Sequence, residues 1–440
     1  MASQAPAQSP DVLASRRGAF VVVSGLALLF VAIRISLLLA RDPFFDELYT
    51  RWISAKPLRG ILDALRYDSG PPLYYFATHL AGALSVRSER VLSLIFATVS
   101  FLTIGLSTRL GQSRFLALAL LAAFPPAALF AADARSYALC SMFVTFGIVA
   151  LVGERRLIAA LAFVLAAYSH YYGVLFFPVL LLWPGERRVT RESVLATSLA
   201  GILYIPGFYL ALHQPKEAMG WLVKVHYPET LFPLPPIPLL LLALTASVLA
   251  ALYVNRFAIL IVVPVVIAAV FAASGRSVYF PLRFEAVMAP GLVLWLAASL
   301  QRWKRPLRFV IAVTLLAAWC AILYLGVEGF TRRPVDDYRV AASLAASEKQ
   351  LPIVASGYLY LESVAAGARV SAFPSGQAQH PGWRGPLSDR DVAREVELLP
   401  HPPFLWVGEK YTKEQAIVSG HFDARTVYLG PRSVILRVLH

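Results

Sequence analysis

The sequence predicts a polytopic α-helical membrane protein with a small extracytoplasmic α/β domain at its C-terminal end, and three observations predict it. The 440 residues are 58% hydrophobic and only 15% charged, with a mean hydropathy of +0.64, which is too apolar for a soluble enzyme. The apolar residues fall in runs close to the length a bilayer demands, about 20 helical residues for a core of about 30 Å. From about residue 329 the runs become too short to span and alternate between helix and strand patterns.

Net charge is +14. That sign would fit a nucleic-acid partner, but the basic residues sit in short clusters between apolar runs, where cytoplasmic loops carry Lys and Arg. A membrane account suffices, and no nucleic-acid partner is expected. The two cysteines, Cys140 and Cys320, both lie inside apolar segments far apart, which argues against a disulfide framework.

Taken in order, residues 1–18 form an Ala/Ser/Pro/Gln-rich cytoplasmic start that reads as disordered, with Arg16 and Arg17 before the first apolar segment at 19–40. That segment resembles a signal anchor, interrupted only by Arg34, which either snorkels or faces the bundle. A charged loop follows at 41–90. Within it, residues 72–86 are apolar but reach only about 22 Å as a helix, so they read as a helix lying in the interface. Treating them so places Arg109, Arg114, Arg155, Arg156, Arg187, Arg188, Arg191, Arg256, Arg302, Lys304, Arg305 and Arg308 on the side of Arg16 and Arg17.

The remaining spans then read as 91–108, 115–131, 137–152, 157–169, 173–183, 193–212, 231–253, 257–273, 286–300 and 309–327, about eleven in all with the first. An odd count puts the N-terminus in the cytoplasm and the C-terminal domain outside, as in a multi-pass inner-membrane protein. In that domain, 337–347, 359–366 and 413–419 read as helices and 352–356, 404–408 and 433–439 as strands, with a Gly/Pro/Ser-rich loop at 367–386. It has no phosphate loop, metal-spaced Cys/His set or nucleophile elbow, so binding an acceptor or a partner is its expected use.

Fixing the sides leaves a set of polar residues on the outer face: Asp46, Glu47, Asp68, Arg87, Arg90, Asp133, Arg135, His170, Tyr171, the 213–230 loop, Arg276, Tyr279 and Arg283. They are up to about 240 residues apart in sequence yet share one depth of the bilayer, as a site at a membrane surface requires. Each has a plainer reading. Asp46 and Glu47 also suit the first turn of an ordinary interfacial helix, Asp133 and Arg135 a local pair, His170 a turn, and Arg276 and Arg283 snorkelling anchors.

A sugar carried on a polyprenyl phosphate needs a base, cations near the headgroups and hydrogen-bonding groups, and each need has candidates among them. Asp46 would take the acceptor's proton as it attacks the anomeric carbon, inverting configuration, while Glu47 and Asp133 orient the acceptor, the base or an ion. The departing lipid phosphate gains charge, which Arg276, Arg283 and Arg90 are suited to stabilise; Tyr279, His170 and Tyr171 are suited to bond sugar or phosphate.

Several motifs stand in a telling order: Phe45-Asp46-Glu47 after the first span, Gly70-Pro71-Pro72-Leu73-Tyr74-Tyr75 about 25 positions on, Arg90 with Leu92-Ser93, Asp133-Ala134-Arg135-Ser136-Tyr137, and Ser169-His170-Tyr171. Together they resemble the GT-C superfamily of polyprenyl-phosphate-sugar-dependent membrane glycosyltransferases, in the branch holding the protein O-mannosyltransferases and the lipid A aminoarabinose transferases, over residues 19–327. The resemblance implies Asp46 as base, interfacial helices in the first outer loop and Asp133 completing the site. Arg276-Ser277-Val278-Tyr279 is similar to the family's late Arg-Tyr element, although two residues separate the pair here. It implies no required metal, while the paired acids remain able to hold a divalent cation. The expected partners are a polyprenyl-phosphate sugar, membrane lipid and a lipid, glycan or protein acceptor.

Two other classes compete. A transporter or flippase for lipid-linked saccharides would carry polar residues at the bilayer midplane and often an internal repeat; no repeat is visible and the charges sit at one surface. A non-catalytic envelope assembly protein would leave Asp46, Glu47 and Asp133 without a purpose.

Overall fold

A computed structural model describes residues 10–83, 85–184, 190–214, 234–274, 278–331, 337–378 and 389–439. Helix α1 (Pro10–Ala40) is followed by three short helices, α2 (Phe45–Ser54), α3 (Leu58–Leu65) and α4 (Leu73–Leu80). With eight residues, α4 is about 12 Å long, far short of a bilayer core. Then come α5 (Val86–Leu106), α6 (Ser113–Ala123), α7 (Pro125–Ala131), α8 (Tyr137–Val152) and α9 (Arg156–Ser169). A 3₁₀ turn (Tyr171–Phe176) runs into α10 (Phe177–Leu182), and α11 (Arg191–Leu203), α12 (Ile205–His213), α13 (Ile237–Ala251), α14 (Ile259–Ala273), α15 (Arg283–Leu300) and α16 (Arg305–Thr331) complete the apolar part.

Among the described residues, the apolar stretches read as spans fall on single helices, on broken pairs or, at 173–183, on a 3₁₀ turn with α10, while residues 231–233 of the 231–253 stretch lie outside the described residues. Five of the described helical stretches are long and apolar enough to cross a membrane, or up to seven if each bent pair is one crossing. The others, α8, α9, α13 and the 171–182 stretch, are apolar but have 10–17 residues. In α1 and in Arg256–Ala273, only 28% of the most apolar window is buried by protein. Outward residues such as Phe20, Leu28, Leu39, Val270 and Val262 leave apolar surface that lipid must cover. This is a multi-pass membrane protein.

Proline sets one break that matters for the site. Pro125 and Pro126 lack amide hydrogens and force Phe124 into an extended conformation, so α6 stops and α7 leaves at 67°. The last carbonyls of α6 lose their helical donors, and Arg34 supplies replacements. Its fully buried guanidinium donates to Ala122 O at 2.8 Å and Leu121 O at 2.9 Å and lies 3.6 Å over the Phe30 ring. Of the two expectations for Arg34, the structure shows the bundle-facing one.

The chain packs as two units, the first comprising Met1–Ala40, Arg87–Tyr209 and Leu222–Phe330, the second Arg41–Val86, Leu210–Trp221 and Thr331–His440. In the first unit α15 is the central helix, 72% buried in its most apolar window and packed on α6, α7, α8 and α13.

The second unit is built on a five-stranded sheet. In chain order come α17 (Asp337–Ser347), β1 (Ile353–Ala355), α18 (Tyr358–Ala365), β2 (Val370–Ala372), α19 (Asp389–Glu397), β3 (Phe404–Glu409), α20 (Lys413–His421), β4 (Ala424–Leu429) and β5 (Ser433–Val438). The sheet order is β2-β1-β3-β5-β4, parallel across β2, β1 and β3 and antiparallel at β5 and β4. Alternate residues feed two cores: Val354, Phe404 and Trp406 on one face, Ile353, Leu405 and Val407 on the other. Both faces are covered, which is why Phe404-Leu405-Trp406-Val407 reads as a continuous apolar run. Within the 367–386 stretch read as loop, β2 is present, and residues 379–388 lie outside the described residues.

Asp337 ties the sheet's end to α17. It accepts from Tyr428 Oη and from the backbone N of Arg432 and Ser433, each at 2.7 Å. Burial alone would raise this carboxyl, but those hydrogen bonds outweigh it and hold the group below its ordinary 3.8. Residues 41–86 join the same unit through an ion pair of Asp42 with Arg339 and the packing of α2 on α18.

Candidate active site

In the second unit, α2 presents the Asp-Glu pair. Glu47 is fully buried and its carboxylate accepts from Phe44 N at 3.3 Å, so it satisfies a donor at the start of α2. Asp46, one residue earlier, is half-buried, and its carbonyl takes a 2.8 Å hydrogen bond from buried Thr50. The adjacent acids are therefore unequal: one is committed to the helix, the other is the more accessible. Around α2, Arg51 donates to Ala83 O at 2.5 Å and His79 Nδ1 pairs with Ser54 O at 3.0 Å. Gln214 ties down the 65–70 turn, donating to Leu65 O at 2.8 Å and Gly70 O at 2.9 Å.

In the first unit, the loop ends gather another set. Beyond α7, Asp133 is fully buried and Arg135 half-buried, and Ser93 donates to Arg135 O at 3.4 Å. His170 follows α9, outside the apolar helices, and its Nδ1 accepts from Tyr172 N at 3.2 Å. That bond places the proton of the neutral ring on Nε2. The turn is tight because Gly173 lies against α9: a Cβ there would come within 2.3 Å of Ala166 C and Ala167 N. Tyr137 and Tyr172 flank His170 with ring centroids at 4.8 and 4.5 Å.

Arg283 opens α15 directly after Leu282, whose φ of +69° is a strained conformation for a leucine. Its guanidinium lies 5.8 Å from the Tyr137 ring centre and 4.4 Å from that of Phe280. Burial first, then the charges of Arg135 and Arg283, lower His170 from 6.5 to about 3. Two guanidinium groups thus bear on an imidazole that stays neutral, an arrangement that suits an anion. Tyr279 donates to Glu285 at 2.6 Å, and burial followed by that bond raises its phenol.

Of the residues the sequence singles out, His170 and Arg283 both lie against the Tyr137 ring, Tyr279 reaches Tyr172 through the Phe284 ring, and Arg135 bears on His170 by charge, with Asp133 two positions from Arg135. Tyr171 begins the 3₁₀ turn beside His170. Arg90 is buried and donates to Leu38 O at 3.1 Å, joining the start of α5 to the end of α1. Asp46 and Glu47 belong to the second unit, and Arg276 lies outside the described residues. Sequence reasoning passed over Tyr172 and Glu285. A clue for Glu285 was available, an acid directly before the apolar run at 286–300 and two residues after Arg283. Among the described residues, no group of three or more His, Cys, Asp or Glu side chains is arranged to hold a metal ion.

Neither a protein-family model nor a curated protein matches the sequence. Solved structures do. ArnT from Cupriavidus metallidurans, an aminoarabinose transferase, superposes in its apo state with a TM-score of 0.52, covering 94% of this chain and 98% of that chain at 13% identity. The same protein bound to undecaprenyl phosphate gives a TM-score of 0.51 with the same coverage and identity. The chain therefore shares the fold of these two structures over nearly its whole length.

Proposed function

We propose that this protein is an inverting glycosyltransferase that moves a sugar from a polyprenyl-phosphate donor to an acceptor hydroxyl at the outer face of the cell membrane. The observation that carries the reading is that Arg283 and His170 both lie against the Tyr137 ring, at 5.8 and 4.8 Å, in a chain with the fold of ArnT. A guanidinium held among aromatic rings suits a phosphate whose charge grows as it leaves, and Arg135 adds positive charge nearby. Tyr279 and Arg276 belong to the same binding role, and Tyr171 lies next to it in sequence.

In the reaction, the acceptor oxygen attacks the anomeric carbon and the bond from that carbon to the phosphate oxygen breaks. The acceptor proton passes to the Asp46 carboxylate, and the polyprenyl phosphate departs without needing a proton. Glu47 supports Asp46 by fixing the first turn of α2, and Asp133 is assigned to orienting the acceptor. In this reading the chain crosses the membrane about eleven times, with the N-terminus cytoplasmic. It comprises a cytoplasmic start (1–18), a catalytic membrane module (19–328) and an outer α/β domain (329–440). The acceptor belongs to the lipids, glycans or proteins of the envelope.

The test is transfer of radiolabel by purified protein in lipid from a panel of polyprenyl-phosphate sugars, and in parallel from nucleotide sugars, to the host's envelope fraction. Transfer from a polyprenyl-phosphate sugar, reduced at least about 100-fold in Asp46→Asn, is expected. Comparable transfer by Asp46→Asn would remove it as base. Use of nucleotide sugars only, or no transfer by folded protein, would overturn the reading.

A further inference from the structure

Beside Asp46, the second unit carries a ledge of aromatic rings that the reaction as described does not use. Phe45 meets Tyr358 edge to face at 4.3 Å, and Tyr358 lies nearly parallel to Tyr338 at 6.3 Å and 21°. Behind Phe45 the rings continue along α2: Phe45 stacks with Tyr49 at 6.0 Å and Tyr49 with Trp52 at 5.9 Å. Tyr358 is 45% exposed although aromatic groups surround it.

Charged groups rim the ledge. Tyr338 Oη donates to Glu409 Oε1 at 2.5 Å, and Arg432 lies 4.7 Å over the Tyr338 ring. Glu409 Oε2 faces Gly357, where a Cβ would come within 3.1 Å of it and where φ is +59°. The Glu409 and Asp46 carboxylates both act on the Tyr358 hydroxyl and, after burial, raise it. Two carboxylates and one guanidinium thus lie around the exposed Tyr358 ring and the half-buried Tyr338 ring.

This combination selects among ligand classes. A phosphate or other anion would meet two carboxylates against one guanidinium. A lipid tail would strand the carboxylates and hydroxyls without partners. A sugar ring fits both halves, its C–H faces lying against aromatic surface and its hydroxyls donating to carboxylates. We infer that Tyr358, Tyr338 and Glu409 form an acceptor subsite for a neutral or cationic carbohydrate, placing a glycan hydroxyl next to Asp46. The inference deepens the glycosyltransferase reading and rests on it for the role of Asp46.

The test measures saccharide binding separately from transfer. Full-length protein in nanodiscs is titrated with glucose, mannose, galactose, arabinose and glucosamine, followed by saturation-transfer NMR on the sugar protons. At least one sugar is expected to bind with a Kd in the millimolar range. Tyr358→Ala should weaken it about ten-fold or more, Tyr358→Phe by no more than about three-fold, and Glu409→Gln by several-fold with the fold intact. In a transfer assay Tyr358→Ala should raise the apparent KM for a glycan acceptor and leave that for the donor unchanged. No saturable binding, equal binding by Tyr358→Ala and Glu409→Gln, or competition by a peptide but not by a sugar would each overturn the subsite. Binding that persists at Tyr358 in a protein that transfers nothing would sink the transferase reading alone; transfer without Tyr358-dependent binding would sink the subsite alone.

Discussion

Arg283 is the residue on which the donor assignment depends most directly. A bidentate guanidinium on a phosphate contributes about 1.5–3 kcal/mol, so Arg283→Ala is expected to raise the apparent donor KM about ten-fold or more. Arg283→Lys should recover only part of that, because an ammonium lacks the planar fork. Steady-state kinetics at varied donor concentration checks this, and an unchanged donor KM would remove Arg283 from the site. The expectation that Arg135, His170 and Arg283 act together comes from loop sidedness, which puts them at one depth. Glu285 was not legible in the sequence, because a single acid in the first turn of an apolar helix reads as a partner for the helix dipole. Its bond to Tyr279 depends on the turn at Leu282, whose positive φ no residue type announces. The difference between Asp46 and Glu47 was equally hidden: adjacent acids at a helix start look alike until one of them faces the backbone.

Single elements show where sequence patterns end. The 115–131 run reads as one span because hydropathy is indifferent to the break at Phe124, although Pro125-Pro126 marks it. Strands β3 and β5 were visible as continuous apolar runs, whereas β2 is three residues long and β4 is an edge strand whose Arg425, Thr426 and Val427 face solvent. Helix α19 was missed because its sequence, DRDVAREVE, has few apolar positions to set a period. Asp337 fixes α17 to that edge region, and its linkage has a definite sign. A carboxyl held below its unfolded 3.8 contributes stability that is fully present above about pH 4 and is lost as pH falls through the folded value. Asp337→Asn should therefore lower thermal stability at neutral pH and flatten the acid loss below about pH 4. Melting of the full-length protein in detergent from pH 7 to pH 3 checks it, and parallel curves for the two proteins would show that the carboxylate contributes nothing. Gly430 reports on the same contact from the other side, since a Cβ there would come within 1.7 Å of Asp337 Oδ1.

At the scale of the whole molecule, the basic loops set the sidedness. Charge in short loops decides orientation, and here nearly every short basic loop falls on one side under a single assumption about residues 72–86. In a protein with Cys140 and Cys320 replaced, Val427→Cys should react with an impermeant maleimide on intact spheroplasts, and Arg302→Cys only after permeabilisation. The reverse pattern would invert the orientation and with it the face on which transfer occurs. Membrane class and helix order were legible because they follow from local apolar runs. The joining of residues 41–86 and 331–440 in one unit was not, because contacts such as Phe45 with Tyr358 span about 300 positions and leave no local pattern.

The buried guanidinium in α1 also constrains how the protein is made. Its two shortest hydrogen bonds go to carbonyls 87 and 88 residues further along the chain. At about 5–20 residues per second, synthesis reaches them only after about 4–18 s. During that interval the guanidinium has only the Phe30 ring and the Phe30 carbonyl of its own helix as partners, and a charge inside the bilayer costs up to about 2.5–3.5 kcal/mol. The arrival of α6 ends this exposure, so the first and third apolar segments are coupled in biogenesis as well as in the finished protein.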